Sequence, residues 1–275
     1  MGSTDKTAVV VVGDTHIGST VGLCLPVANL DDGGTYSASQ GQRWLWRSWL
    51  DFWTFTTELT GGCKRVLVLN GDIVEKDNKR RTHQIITRND ATLLRIAVST
   101  LKPALEWADS TYVVRGTEAH VGKSAEMEEA LAYDIGAVQD PATGTYSHWH
   151  LRAVAGGVRM DIAHHATMGG MPWTERNAAI KLAAITWHRY MEMGKPLPHV
   201  VVRNHVHRYA DSGGNYDTFA VMAPAWSLAT SYLYRIGKEN DLATIGGLIF
   251  ICENGQYQML KKIYRPRVTA WDRVM

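Results

Sequence analysis

Residues 8–12, AVVVV, form an unbroken apolar run, largely β-branched, that stops at Gly13-Asp14. A strand with one wet face alternates polar and apolar residues. This run does not, so both of its faces must be covered. The pattern recurs at 65–69 (RVLVL), which stops at Asn70-Gly71-Asp72, and at 111–114 (TYVV), which stops at Arg115-Gly116. Between the runs the apolar spacing becomes helical. Leu45, Trp49, Phe52, Trp53 and Thr56 share one face over 43–59, and Ile86, Leu93, Ala97, Leu101 and Leu105 share one over 83–107. Pro103 is expected to kink or end the second helix early, because proline removes a ladder donor. The resulting β-α-β-α-β order predicts parallel strands joined by crossover helices.

The rest of the chain reads as a helix over 124–136 with Ser124 as N-cap, then strand-like pieces over 146–154 and 158–163 joined at Gly156-Gly157. A helix follows Thr174 to about 193, a strand covers 199–203, and several strands cover 216–263 with a hairpin turn at Asn254-Gly255. The stretch 20–41 has no periodicity and is expected to be a surface loop. No repeat or linker divides the chain, so residues 1–275 are expected to form one domain. With 45% hydrophobic and 20% charged residues the chain lies outside the disordered class. No apolar run approaches the roughly 18–20 residues of a membrane helix. Neither a secretion signal nor a myristoylation pattern is visible, so a cytoplasmic protein with no membrane partner is expected. Cys24, Cys63 and Cys252 are scattered and form no CxxC pair, which argues against thiolate zinc and a disulfide framework. A net charge of +2 neither demands nor excludes nucleic acid, and nothing speaks to oligomeric state.

Polar clusters stand just after the strands. They are Asp14-Thr15-His16, Asp72 with Glu75, Thr117-Glu118-Ala119-His120, His164-His165, and Asn204-His205-Val206-His207. Ligands bind at the carboxyl ends of strands in open α/β sheets, so the clusters are expected to converge. Carboxylate and imidazole are ligands of divalent transition metals. His148-Trp149-His150 has similar spacing, but it falls inside an expected hairpin strand with nothing acidic nearby, and an ordinary structural pair is the expectation there.

The ordered set GDTHIG, NGDIVE, RGTEAH, IAHH and NHVH resembles the calcineurin-like metallophosphoesterase superfamily over about residues 8–210. The resemblance implies an α/β fold of two stacked mixed β-sheets flanked by helices on both sides. It implies two divalent metal ions, Mn, Fe, Zn, Co or Ni with Mn favoured. Asp14, His16 and His207 would hold the first, His164 and His205 the second, and Asp72 both. The third block departs from the family, which has a ligating Asn followed by His. Thr117 stands at the Asn position here, with Glu118 beside it, and Glu118 is the expected replacement ligand. By the same resemblance His120 is the general acid, Glu75 orients it, and His165 faces the substrate.

The implied reaction is attack of a metal-bridging hydroxide on a phosphoester, of diester type and with a nucleotide or nucleic-acid substrate. The protein-phosphatase branch carries a GDYVDRG-type second block and a GNHE third block, which this chain lacks; a phosphomonoesterase and a non-catalytic scaffold stay as rivals. Lys76, Lys79, Arg80, Arg81 and His83 follow the second block and could hold phosphates, with Arg80 and Arg81 the candidates for substrate binding, or form an ordinary solvated loop. Trp49 and Trp53 lie on an apolar helix face and are expected in the core rather than stacked on bases.

Overall fold

The structure, a computed structural model, describes residues 6–77, 84–166, 174–229 and 243–266. Its elements in chain order are β1 (Thr7–Val12), β2 (Val27–Asn29), β3 (Thr35–Ser37), α1 (Gln40–Leu59), β4 (Lys64–Asn70), α2 (Asp90–Trp107) and β5 (Ser110–Val114). Then come α3 (Glu118–Val121), α4 (Glu126–Asp134), β6 (Ser147–His148), β7 (Leu151–Ala155), β8 (Val158–Ile162) and α5 (Glu175–Glu192). The chain continues with β9 (Val200–Arg203), β10 (Ala210–Asp211), β11 (Phe219–Met222), β12 (Ile245–Glu253) and β13 (Gln256–Tyr264).

Among the described residues the large strands make two mixed sheets, ordered β13-β12-β1-β4-β5-β6 and β10-β11-β9-β8-β7. β1, β4, β5 and β6 run parallel, while β12 joins β1 and β13 joins β12 antiparallel. In the second sheet β8, β9 and β11 are parallel. The alternation along β1 shows why its sequence is uniformly apolar. Val9 and Val11 pack with Val68, Val114 and Phe250 against Met160, Ile162, Val200, Val202 and Val221 of the second sheet. Ala8, Val10 and Val12 point the other way, into Leu45, Trp49, Phe52, Leu93, Leu101 and Leu131 on α1, α2 and α4. On the far face of the second sheet, Ala179 and Ala183 of α5 meet Val201, Ala220 and Met222. The layers are therefore helix, sheet, sheet, helix, as the motif resemblance implies. Trp49 and Trp53 are buried beside Phe52, Trp107 and Trp226, as their helix face predicts.

Several boundaries differ from the sequence reading. α1 starts at Gln40 because Ser39 and Gln42 form a capping box. Gln42 also donates to the carbonyls of Ser19 and Gly22, and Leu23 and Cys24 are fully buried, so the start of 20–41 packs inward, while the rest stays largely at the surface and includes the β2–β3 hairpin. α2 begins at Asp90, where the Asn89 side chain accepts from Thr92 N–H; residues 84–86 instead pair with the first site loop. Pro103 does not end α2. An interior proline costs about 3 kcal/mol, but beyond it Ala104 and Trp107 are buried and Trp107 donates to Thr60 Oγ1. Ser124 is not an N-cap. It lies at φ 55° in a turn before α4, whose first turn carries Glu126, Glu128 and Glu129. Carboxylates there complement the helix dipole.

The expected strand over 146–154 is divided between the sheets: β6 pairs with β5 and β7 with β8. Trp149 and His150 make the crossing, so His148 and His150 do not share a strand face. His150 also has an acidic partner, Asp161, at 2.7 Å. The Gly156-Gly157 and Asn254-Gly255 turns form where expected, with positive φ at all four residues.

Candidate metal centre

Loops after β1, β4, β5, β8 and β9 meet at the carboxyl edge of the two sheets. Asp14 Oδ1 lies 3.3 Å from His207 Nε2, 3.8 Å from His164 Nε2 and 4.0 Å from His16 Nε2. Asp72 Oδ2 lies 3.1 Å from His164 Nε2 and 4.0 Å from His205 Nδ1. Two ligand groups result, Asp14–His16–His207 and Asp72–His164–His205, and a third, His16–Glu75–His120, shares His16 with the first.

The outer faces of these side chains are tied to protein. His164 Nδ1 donates to Asn70 O at 2.8 Å. His16 Nδ1 and His120 Nδ1 both meet Glu75 Oε2, at 2.7 and 2.8 Å. Asp14 Oδ2 accepts from Asn204 Nδ2 and His205 N–H, and Asp72 Oδ1 accepts from the Thr117 N–H and hydroxyl. Three inner atoms are left over: Asp14 Oδ1, His164 Nε2 and His205 Nδ1 are buried without a hydrogen-bond partner, while His16 Nε2 meets His207 Nε2 at 3.1 Å. Each orphan costs about 1–3 kcal/mol unless something satisfies it. Imidazoles held at one nitrogen with the other aimed inward are the usual arrangement around a divalent cation. The residues present therefore fit two such ions.

The backbone supports the same reading. Of the non-glycine residues with positive φ, Asp14, His16, Asp72, His205 and His207 are five, at φ 43–72°. That region costs roughly 1–2 kcal/mol per residue, and such strain gathers at functional sites. Close approach demands glycine nearby. A Cβ on Gly71 would sit 2.4 Å from His164 Nδ1, and one on Gly116 would sit 2.2 Å from Asp72 Oδ1.

Charge inside the cluster is strongly coupled. Burial alone would raise the Asp14 carboxyl, but His207 and His164 outweigh it and bring it to about 2. Burial disfavours charge on His164, yet Asp14 and Asp72 push it up to about 10. Asp72 and Glu75 are lowered against their burial by neighbouring histidines, and His120 is raised against its burial by Glu75, Asp72 and Asp14. His165 is lowered by burial and by His164 and His205. A site that stabilises imidazolium this strongly also attracts cations.

The structure does not bring every expected residue to the site. Glu118 is exposed and in none of the ligand groups, whereas Thr117 touches Asp72. Glu118 begins α3, and Thr117, at the Asn position, meets Asp72 through its hydroxyl. His164 is buried in the cluster; His165 is exposed, with its ring 5.5 Å from that of His205. Arg80 and Arg81, with Lys79 and His83, lie outside the described residues. Lys76 is no free phosphate ligand, since it pairs with Asp90 and Glu126 at 2.8 and 2.7 Å. The sequence reading gives Asn70, Asn204 and Glu128 no role. Asn70 donates to Asn204, which links the sheets beneath Asp14. Its only sequence signal is an amide at the end of an apolar run. The 222–227 segment braces the first loop, with Trp226 N–H on Asp14 O.

The helix, sheet, sheet, helix layering and the order of the site loops along the chain agree with what the motif resemblance implies. No family model and no curated protein matches the sequence. Among solved structures, the chain is similar to vacuolar protein sorting 29 from Cryptosporidium parvum, at 12% identity and TM-score 0.39, covering 95% of this chain and 99% of that one. It is also similar to a dimetal phosphatase from Danio rerio, at 8% identity and TM-score 0.47, covering 93% and 95%. Likenesses this distant say nothing of activity. Among the described residues no helix is long and apolar enough to cross a membrane.

Proposed function

We propose that this protein is a dinuclear metal-dependent phosphoesterase acting on phosphodiesters, with manganese the favoured ion and a nucleotide or nucleic acid the substrate class. The observation that carries the reading is the set of unpartnered inner atoms, Asp14 Oδ1, His164 Nε2 and His205 Nδ1, gathered at one place, with the outer atoms of Asp14 and His164 tied down. Asp14, His16 and His207 would hold one ion and His164 and His205 the other; the motif resemblance has Asp72 hold both, and the reading here takes it on the side of His164 and His205, with which its carboxylate groups. Such ions supply a nucleophile from water at neutral pH and offset phosphoryl charge.

The chain's own residues do the rest. Glu75 holds His120 Nδ1, which leaves Nε2 to give a proton to the leaving oxygen. The charge of Glu75 keeps His120 protonated towards higher pH, as that role needs. Glu75 also fixes His16, so ligand and acid share one anchor. His165 lines a cleft of about 490 Å³ together with Lys181, Leu182, Ile185, Arg203 and Met222. We place the second ester group of a diester in that space.

The test is elemental analysis of the purified protein, followed by manganese-dependent hydrolysis of bis(p-nitrophenyl) phosphate and p-nitrophenyl phosphate. About two ions per chain with faster diester turnover is the expected result. Faster monoester turnover would replace the diester reading, and a chain inert with manganese would leave a scaffold.

A further inference from the structure

Glu128, on α4, is fully buried and belongs to none of the ligand groups. Its Oε1 accepts the Ile73 N–H at 3.1 Å and its Oε2 accepts the Gly116 N–H at 2.5 Å. Ile73 follows Asp72, and Gly116 precedes Thr117. Thr117 in turn holds Asp72 through its N–H and its hydroxyl. One carboxylate therefore fastens the two loops whose contact aims Asp72. Burying a charge-bearing group costs several kcal/mol, so an apolar residue would serve packing better. α4 is already anchored by Met127, Leu131 and Ala132 in the helix-side core. The clamp thus stands on a rigid element whose position does not depend on a cation.

We propose that Glu128 is a positioning residue that sets Asp72 toward the ion shared with His164 and His205. The inference rests on the dinuclear reading above. It also explains why a carboxylate is needed. The two loops present two donors, and only a group with two acceptors meets both. A glutamine would turn its NH₂ toward one of them. An aspartate is one methylene too short to keep both bonds.

The experiment uses the full chain with Glu128→Gln and Glu128→Asp, and with Leu131→Ala as a control buried on the same helix. The first readout is amide hydrogen exchange on EDTA-treated protein. Both Glu128 variants are expected to speed exchange at 71–74 and 115–118 by tenfold or more relative to the rest of the chain, and Leu131→Ala is not. The second is Co²⁺ titration. Losing a direct outer partner of a ligating carboxylate costs about 10–100-fold in affinity, and Glu128 acts one bond further out, through Ile73 and Gly116, so about tenfold is expected. The Glu128 variants should lose that much at one of the two ions and keep the other, while Leu131→Ala keeps both. Wild-type exchange and binding in both Glu128 variants would overturn the proposal, as would the same selective loss in Leu131→Ala. If the wild-type chain binds no Co²⁺, the dinuclear reading fails, and the exchange readout still decides the clamp.

Discussion

Thr117→Val isolates the feature in which this chain departs most from the motif it resembles. Valine keeps the shape of threonine and the backbone N–H bond to Asp72 Oδ1. It removes only the hydroxyl, whose oxygen lies 2.7 and 2.6 Å from the two oxygens of Asp72. Asp72 is 1% exposed, so it depends on protein donors. A hydrogen bond to a charged group is worth about 1.5–3 kcal/mol, which corresponds to about 10–100-fold in affinity. Calorimetric titration of EDTA-treated protein with Mn²⁺ should show that loss for one of two ions. Turnover of bis(p-nitrophenyl) phosphate should fall at limiting Mn²⁺ and recover in part at saturation. Thr117→Ser, which restores the hydroxyl, should recover most of the affinity. Glu118→Ala should stay within about threefold of wild type, because its side chain is exposed and belongs to none of the ligand groups. Wild-type Mn²⁺ affinity in Thr117→Val, or a tenfold loss in Glu118→Ala, would refute the assignment and return the role to Glu118.

Two further outcomes follow from other parts of the molecule. His120→Ala should keep its metal content and lose about 10²–10⁴-fold in turnover for diesters with poor leaving groups, but far less for nitrophenolate, which needs no proton; a uniform loss across leaving groups would remove His120 from the acid role. Burial would raise the Asp161 carboxyl, but its bond to His150 and the Arg203 charge bring it to about 2 from 3.8. A depressed carboxylate stabilises the fold above its unfolded pKa and ceases to do so as pH falls through the folded value. Asp161→Asn should therefore lower stability by about 2 kcal/mol at pH 7, with the gap to wild type closing between pH 4 and pH 2 in thermal melts.

The parts of the fold that local sequence determines were legible. β1 has to be apolar at every position because Val9 and Val11 face one layer and Val10 and Val12 another, and that demand is written in the residues themselves. The Asn254-Gly255 turn is equally local, since its backbone needs positive φ at both positions. What was not legible depends on distant partners. The chain leaves the first sheet at His148 and enters the second at Leu151, and nothing between them in sequence marks the change. α2 runs through Pro103 because burial of Ala104 and Trp107 against other elements outweighs a local rule.

The site divides along the same line. Its inward atoms come from side chains whose type and order after each strand can be read directly, so Asp14, His16, Asp72, His164, His205 and His207 stood out together. The groups that aim them cannot be read this way. Asn204 reaches Asp14 because β9 and β1 lie in facing sheets, and Asn70 reaches Asn204 across the same gap, 134 residues away in sequence. The left-handed backbone at five of the six residues is another consequence of the assembled loops; His164 alone among them lies outside the positive-φ set. That strain, roughly 1–2 kcal/mol each, persists only where surrounding bonds hold it. Glu75 on His16, the Asn204 amide on Asp14 and the Thr117 hydroxyl on Asp72 are those bonds. The donor types thus define the chemistry, and the buried amides, hydroxyl and carboxylates around them define its geometry. A variant that spares every ligand but removes one outer bond should therefore separate cation affinity from overall stability, which substitution of a ligand cannot do.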